Sequence, residues 1–543
     1  MKTLISLCCC LWLLTTTAVA EPVLNEPLAT ETPVETELTV EGLLQQLTQA
    51  KLRQTQPILE QLEGLGGERI LPLFRSLLNA NLYYIKATDQ VVIVNDDDSL
   101  RDALTGTPMP AMASRDITKI RVNNRLRSYL RGAIARIQLS AENPDSRIQA
   151  VRSLLADLDQ DTVTLISELR QQETVAEVQA TMDLALAINS LRNDTDSEQR
   201  LAAIDVLKDS LEGEVRVLLT EVAADKSDLS VQAAAKKALA VLEQRVEMYA
   251  FIDQLFFGLS LGSVLLLAAI GLAITFGVMG VINMAHGEMI MLGAYTTYVV
   301  QLLLPELINY SVWLAIPLAF IVSGGVGMLI QRFVIRYLHG RPLETLLATF
   351  GISLILQQLV RTIFSPLNRQ VATPDWMSGS LEINPVLSLT LNRLYILAFA
   401  LLVFFALQLI LKKTNLGLNV RAVSQNRDMA KAMGIRTDWV DALTFGLGSG
   451  IAGIAGVALS QLTNVGPNLG QAYIIDSFMV VVFGGVGNLL GTLVAAFSLG
   501  IANKFLEPVT GAVLASILVL VFIILFIQKR PKGLFPQKGR AAE

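Results

Sequence analysis

Apolar stretches close to the length needed to span a lipid bilayer recur through the second half of this 543-residue chain. A helix needs roughly 20 predominantly apolar residues to cross the hydrocarbon core, and lipid leaves only helices or closed barrels with every backbone polar group satisfied. The sequence therefore predicts an all-α integral membrane domain over residues 251–528, with about eight or nine membrane segments. The predicted stretches are Phe256 to Val278, Met289 to Leu304, Val312 to Ile330, Leu346 to Ile363, Leu394 to Leu411, Trp439 to Leu462, Ile474 to Ala502 and Val513 to Ile527.

Basic residues cluster in three of the joining segments, 332–341, 412–436 and the tail 529–543. Because positively charged loops stay in the cytoplasm, we expect all three segments to face that side. A chain that starts outside reaches 412–436 correctly after five spans, but three further spans leave the tail on the wrong side. The conflict disappears if the long run 474–502 crosses twice, with one or both of its short halves broken or re-entrant, and the turn is predicted at Gly484, Gly485, Val486, Gly487 and Asn488.

Residues 1–20 have the form of a signal peptide. Lys2 precedes an apolar run that is too short to span a bilayer, and Ala18-Val19-Ala20 fits a cleavage site. An anchor that is never cleaved is the alternative. All three cysteines lie in this segment, so the chain after cleavage has no disulfide and no thiolate metal site. Residues 21–40, rich in Pro, Thr and Glu, predict a flexible lead-in.

Residues 41–250 predict an exported, mostly α-helical domain. From residue 21 to 250 the formal net charge is −12, whereas from 251 to the end it is +6, and the acidic half disfavours binding to nucleic acid or anionic lipid. Two short strands, Leu82 to Ile85 and Val91 to Val94, are the only β signal. Asp96-Asp97-Asp98 fits an exposed turn, because the glycine and the spaced acids of a calcium loop are missing.

An internal repeat begins at Arg147. The string Arg147 to Val151 matches Arg200 to Ile204 at an offset of 53 residues, and the same offset pairs apolar positions as far as Ala185 with Ala238. Apolar residues three and four apart predict stacked helices of the HEAT-like type, which offer an extended binding surface. A spacer that packs only on itself is the alternative.

Two glycine-interrupted strings occupy corresponding places in the two halves of the membrane domain. Phe276-Gly277-Val-Met-Gly280 has the same form as Phe483-Gly484-Gly485-Val-Gly487, which Asn488 follows. Such a pair points to the substrate path of a transporter. The alternative is that these glycines only permit close packing of helices.

The string Gly277-Val-Met-Gly-Val-Ile-Asn-Met-Ala-His-Gly-Glu288 resembles the signature of permeases in the branched-chain amino acid and urea ABC importer family. The resemblance extends from Phe251 to about Gln537 and includes the ending Arg530 to Phe535. It also covers a cytoplasmic segment that couples such permeases to ATPases, predicted here as one helix between Leu418 and Met433. The matching coupling positions are Gly417, Arg421, Ala422, Asn426, Ala430 and Gly434.

The resemblance implies a permease subunit in the bacterial inner membrane, with its N-terminal domain outside the cytoplasm. It implies no enzymatic activity and no cofactor, and it implies four kinds of partner besides lipid. These are a second permease subunit, two cytoplasmic ATPase subunits, an exported substrate-binding protein and a small solute. The absence of a Gly-x-x-x-x-Gly-Lys-Ser/Thr string in the sequence also assigns ATP hydrolysis to other chains.

Asn283, His286 and Glu288 are the candidate solute contacts within the signature string. Ionisable groups are costly to bury in a membrane, and an amide offers both a donor and an acceptor to an amide-like solute. The alternative is that the three side chains stabilise a break between helices through hydrogen bonds. A two-histidine metal site is excluded, because His286 and His339 lie in separate segments without thiolate ligands.

The solute is the least determined property. The long exported extension departs from the amino acid permeases of the family and resembles the first permease subunit of urea importers. Few charged side chains lie within the spans to balance a zwitterion, which also favours a neutral solute. The sequence therefore predicts urea, with branched-chain amino acids or short amides as the alternative. A structural membrane assembly protein is an alternative of a different class, but it does not need the coupling segment.

Overall fold

The computed structural model describes residues 39–50, 54–94, 99–110, 116–338 and 340–535. The contacts divide the chain into two compact units, Met1–Ala185 and Leu186–Glu543. Several predicted features lie outside the described residues. They are the signal peptide, almost all of the lead-in, the turn at Asp96 to Asp98, His339 and the end of the basic tail.

Helices and a small antiparallel sheet form the first unit. Its elements are α1 (Val40–Gln49), α2 (Thr55–Gly66), a 3₁₀ turn (Gly67–Ile70), α3 (Leu71–Leu78), β1 (Leu82–Ile85), β2 (Val91–Val94), β3 (Leu100–Asp102), β4 (Pro108–Met109), β5 (Ile117–Lys119), α4 (Asn124–Gln138), α5 (Pro144–Leu154) and α6 (Gln160–Gln172), and α7 (Ala176–Asn193) continues into the second unit. The apolar core joins Leu82 and Val91 of the sheet to Phe74 of α3 and Leu130 of α4.

The two predicted strands are confirmed, and they pair antiparallel with Leu82 opposite Ile93. The prediction that they are the only β structure is wrong. Among the described residues of this unit the sheet has five strands in the order β4-β3-β2-β1-β5. The three additional strands have two or three residues each, which is too short for an alternating apolar pattern to show.

The predicted repeat falls on corresponding helices. Arg147 to Val151 lies in α5 and Arg200 to Ile204 in α8 (Ser197–Leu207), while later pairs link α6 with α9 (Gly213–Ala224) and α7 with α10 (Leu229–Met279). Val178 and its counterpart Val231 are both buried. Each copy therefore spans three helices, and its assignment to the HEAT-like type stays a prediction.

The division between the units precedes the predicted domain boundary at residue 250. α8 and α9 pack against the first part of α10, which buries Val231, Ala235 and Leu242. α10 then continues without interruption into the apolar region. Because one helix carries both parts, the last helices of the repeat belong to the same unit as the membrane region.

An all-α bundle makes up the rest of the second unit. Its elements are α10, α11 (His286–Leu303), α12 (Ile308–Phe333), α13 (Pro342–Phe364), the hairpin β6 (Ser380–Glu382) and β7 (Ser388–Thr390), α14 (Leu391–Lys413), α15 (Asn415–Gln425), α16 (Arg427–Ala432), α17 (Thr437–Ser460), α18 (Leu469–Gly484), α19 (Leu489–Thr510) and α20 (Ala512–Lys529), with 3₁₀ turns at Pro305–Leu307, Ile335–Leu338 and Asp375–Met377.

Within the described residues, seven helices are long and apolar enough to cross a membrane, and α18 is a shorter apolar helix. The run 474–502 is divided into α18 and α19 at the predicted glycine turn. α10 and α17 lie at the centre, since 83% of the apolar window of each is buried, against 17–33% for the other five. Close approach requires glycine there: a Cβ on Gly448 of α17 would lie 2.6 Å from the carbonyl oxygen of Gly271 on α10.

Candidate translocation path

The break between α10 and α11 is built by the signature string. Gly280 ends α10 in the left-handed region with φ of 65°, which glycine adopts without a steric penalty. Asn283 Oδ1 then accepts a hydrogen bond from the backbone N–H of Ala285 at 3.0 Å. Asn283 therefore stabilises the break, while its Nδ2 has no hydrogen-bond partner in the described part of the chain.

His286 begins α11 and is fully buried. Its Nε2 lies 2.9 Å from the carbonyl oxygen of Ala268 on α10. Because a carbonyl only accepts, Nε2 carries the proton and Nδ1 is left as an acceptor. Nδ1 has no partner among the residues that the structure describes, so His286 anchors α11 to α10 through one nitrogen only.

Glu288 lies in the first turn of α11 and has no exposed surface. Its Oε1 accepts hydrogen bonds from Ser353 Oγ at 2.9 Å and Gln357 Nε2 at 2.8 Å, both on α13. A third donor is Gln471 Nε2 on α18, at 3.0 Å. Oε2 has no hydrogen-bond partner within the described ranges. One carboxylate oxygen thus joins three helices, and the other is left free to accept a hydrogen bond.

Two of the three partners of Glu288 belong to a polar stripe along α13. Thr345, Thr349, Ser353 and Gln357 are spaced four residues apart, and with Val360 they are the buried residues of this helix among those described. Residues four apart share one helix face, whereas large apolar residues of α13 such as Leu347 and Ile355 are exposed, and Val360 is an apolar exception. α13 therefore turns its polar face inward and its apolar face outward. Sequence reasoning missed this stripe, although a polar residue at every fourth position of an apolar stretch could have revealed it.

Arg361 continues the polar stripe toward the end of α13. Its Nη2 lies 3.5 Å from Gln357 Oε1 and 2.7 Å from Asn468 Oδ1, just before α18. Gln357 thus stands between the carboxylate of Glu288 and the guanidinium of Arg361. One negative and one positive side chain thus flank the same amide, and together they can balance a zwitterion.

The two glycine strings meet in the folded chain. A Cβ on Gly277 would lie 2.5 Å from the Cα of Gly487, so α10 touches the turn between α18 and α19 at these glycines. The last described residues dock on the same turn: Leu534 N–H donates to Phe483 O at 2.9 Å, and Phe535 N–H donates to Gly484 O at 3.2 Å. The turn, the C-terminal segment and the end of α10 therefore share one end of the bundle.

A cavity of about 720 Å³ opens at this end. The residues predicted for the path that line it are Gly277, Gly487 and Asn488, and the predicted coupling residues Gly417 and Arg421 line its other side. Asn283, His286 and Glu288 do not line it. The structure therefore brings together one part of the predicted path with the coupling segment and places the signature polar residues elsewhere. Gly277 and Gly487 thus pack closely against each other and also line this cavity.

The coupling segment is two helices, not the single helix predicted. Asn426 ends α15 and caps α16, where its Oδ1 accepts from the Met429 N–H at 2.9 Å. An extended Asn426 interrupts the helix because its side chain replaces the backbone acceptor. Ala430 is buried, and Gly434 takes a φ of 85° to leave α16. Ala422 packs on the small core around Val420 and Val440.

Two basic residues attach this segment to the bundle. Arg421 donates to the carbonyl oxygen of Leu411 at the end of α14, and Arg427 Nη1 lies 3.2 Å from Oδ1 of the buried Asp441 on α17. Met429 and Met433 are left exposed, with 60% and 77% of their surface accessible. The segment thus presents an apolar surface at the same end of the bundle as the cavity. No group of three His, Cys, Asp or Glu side chains that could hold a metal ion occurs among the described residues.

Known proteins match the membrane region. The family model described as branched-chain amino acid transport system / permease component covers residues 254–527. The high-affinity branched-chain amino acid permease LivH of Salmonella typhimurium is 30% identical over 52% of this chain and 95% of its own length. BraD of Pseudomonas aeruginosa, of the same description, is 32% identical over 53% and 96%. The ribose import permease RbsC of Escherichia coli is 26% identical over 35% of this chain and 52% of its own length. No solved structure matches the chain. The chain therefore belongs to the family of permease components of branched-chain amino acid transport systems.

Proposed function

We propose that this permease component forms the translocation path for a branched-chain aliphatic amino acid, driven by separate ATPase subunits. The names of LivH and BraD support the amino acid alternative better than the predicted urea. A permease component is not itself an enzyme, and the energy for transport comes from its partners. The N-terminal extension, which was one reason to predict urea, lies outside the matched residues 254–527.

The observation that carries the proposal is the free Oε2 of Glu288, which is buried beside the polar face of α13. A buried carboxylate with one unsatisfied oxygen costs free energy unless a donor or a cation approaches it. The ammonium of an amino acid supplies both. Arg361, one amide away along the stripe, supplies a positive charge for the carboxylate of the same solute. A neutral solute such as urea can donate a hydrogen bond to Oε2 but brings no charges to pair with Glu288 and Arg361.

The two ends of the bundle suggest where the partner subunits bind. The exposed Met429 and Met433 of the coupling segment form the surface on which we place an ATPase subunit, because large apolar side chains exposed at a polar end mark a protein interface. A second permease subunit and an exported substrate-binding protein complete the importer. The acidic N-terminal domain is assigned the role of recruiting that binding protein on the outer side.

The test is uptake of radiolabelled leucine and radiolabelled urea by bacterial cells that carry or lack this chain, with the other subunits present in both. We expect leucine uptake to depend on the chain and to be abolished when ATP is depleted. Chain-dependent uptake of urea without uptake of leucine contradicts the amino acid proposal. Leucine uptake that is equal in both strains contradicts the role as its permease.

A further inference from the structure

A second polar groove lies between α10, α18, α19 and α20, apart from the Glu288 cluster. Its volume is about 310 Å³, near the lower end of the range of about 300–1,000 Å³ for small-molecule sites. Asp476 lines it roughly 12 Å along α18 from the glycine turn, at 1.5 Å per residue. Lys504 and Glu507, in the last two turns of α19, also line it. The groove is therefore in the half of the bundle away from the basic segments, on the predicted outer side.

The charges of this groove are not balanced. Lys504 Nζ lies 2.5 Å from Glu507 Oε2, and Asn503 Nδ2 lies 3.3 Å from Ser516 Oγ. Asp476 forms no hydrogen bond or ion pair with any residue that the structure describes. Two carboxylates and one ammonium leave a net negative charge, so the groove attracts a cationic group.

Lipid tails cannot cover such a surface, because charged side chains within a bilayer need water, a polar partner or an opposite charge. An aliphatic wall also lines the groove and includes Leu261 and Leu265 of α10, Leu499 of α19 and Val519 of α20. An occupant that satisfies both the charged residues and this wall carries an ammonium, an anionic group and a small apolar body. Lys504 has three donor hydrogens, so it can keep its ion pair with Glu507 and donate to a second anion.

We propose that this groove is an outer binding site for a zwitterionic aliphatic amino acid. The ammonium pairs with Asp476, the carboxylate with Lys504, and the side chain packs on the aliphatic wall. This inference rests on the proposed function and adds a site that the Glu288 cluster does not include. Phosphatidylethanolamine headgroups present the same pairing of an ammonium with an anion, so the experiment must separate the two sources.

The experiment measures binding of radiolabelled leucine to the complete importer without its binding protein, reconstituted in vesicles with or without phosphatidylethanolamine. We expect Asp476→Asn and Lys504→Gln to weaken leucine binding about tenfold or more, since each leaves one charge of the ligand unpaired. Glu306→Gln, which removes an exposed carboxylate elsewhere, is the matched control and should bind as the wild type does. 4-Methylpentanoate, which lacks the ammonium, should compete weakly and equally against the wild type and Asp476→Asn.

Unchanged leucine binding in both groove variants overturns the inference, and so does equal weakening in Glu306→Gln. Leucine binding that appears only when phosphatidylethanolamine is removed assigns the groove to the lipid headgroup and also overturns it. If Asp476→Asn does not reach the membrane, Asp476→Glu should restore both insertion and binding, and Lys504→Gln still decides. Wild-type leucine uptake distinguishes the two proposals: uptake with unaffected groove variants refutes only the groove, whereas no uptake refutes the proposed function.

Discussion

Replacing Glu288 with alanine tests the structural half of its role. The change removes the acceptor for Ser353, Gln357 and Gln471, and a hydrogen bond to a charged group contributes about 1.5–3 kcal/mol. Two of the donors can turn to another acceptor, because Gln471 Nε2 and Gln357 Nε2 lie 3.0 and 3.4 Å from Ser353 Oγ. The net loss is then about 2–4 kcal/mol, which lowers the melting temperature by on the order of 10 °C.

Replacing Glu288 with glutamine tests the functional half. The amide oxygen keeps the position of Oε1 and its three donors, and the amide nitrogen takes the place of Oε2, which has no partner among the described residues. The free energy of unfolding should therefore change by no more than about 1 kcal/mol. Uptake of leucine should nevertheless fall about tenfold or more, because the ammonium of the solute loses its countercharge.

Thermal unfolding of the detergent-solubilised importer and leucine uptake in vesicles are measured on both variants. Glu306→Gln, which removes a carboxylate at the surface, is the control. Wild-type uptake by Glu288→Gln reduces Glu288 to a structural acceptor and refutes the reasoning about Oε2. Destabilisation of Glu288→Gln as large as that of Glu288→Ala shows instead that the hydrogen bonds are arranged differently.

Three other perturbations have defined outcomes. Gly277→Ala should lower the free energy of unfolding by about 1–3 kcal/mol through overpacking, whereas Gly325→Ala, with open space around it, should be neutral or stabilising. Thermal unfolding is measured for both variants, and equal effects contradict the contact of Gly277 with the glycine turn. Two changes in the coupling segment should abolish ATP-driven uptake but not membrane insertion: Gly434→Val, which forces valine into a φ of 85°, and Arg421→Glu. Uptake and immunoblotting of membranes measure the two effects, and normal uptake in both variants contradicts the coupling role. For Glu173, burial opposes ionisation, but hydrogen bonds from the N–H groups of Val175 and Thr174 and from Arg147 outweigh it and lower its pKa. Its contribution to stability is thus present above the unfolded pKa and is lost as the pH falls through the folded pKa. As the pH is lowered, hydrogen-exchange protection of α5 and α6, corrected for intrinsic rates, should therefore decrease more steeply in the wild type than in Glu173→Gln.

Local patterns in the sequence predicted the elements that local chemistry determines. The glycine run at 484–488 breaks a helix because two of its glycines adopt positive φ, at 105° and 79°. β1 carries three consecutive aromatic or β-branched residues after Leu82, and β2 carries four β-branched residues, which is enough to specify them. The repeat showed itself because equivalent buried positions need equivalent apolar residues.

Features that depend on distant pairs could not be predicted. The donors to Glu288 are 65, 69 and 183 residues away in sequence, and nothing in the signature string indicates them. Gln471 follows a loop and reads as an ordinary start of an apolar stretch. The break at Asn426 was missed for a different reason, because a helix-compatible sequence on both sides hides a cap whose bond to Met429 competes with the continuous helix.

The continuity of α10 changes what the N-terminal extension can do. α10 runs for 51 residues, a length of about 75 Å at 1.5 Å per residue, and it has no glycine or proline before Gly258. Sharp kinks in helices occur at such residues, so α10 has no kink-prone residue between the part packed by α8 and α9 and Gly258, whereas Gly258 and Gly262 precede the contact of Gly271 with α17. Near the far end of this helix, Gly277 contacts the turn that borders the coupling segment. α8 and α9 therefore pack on the same continuous helix whose other end touches the glycine turn.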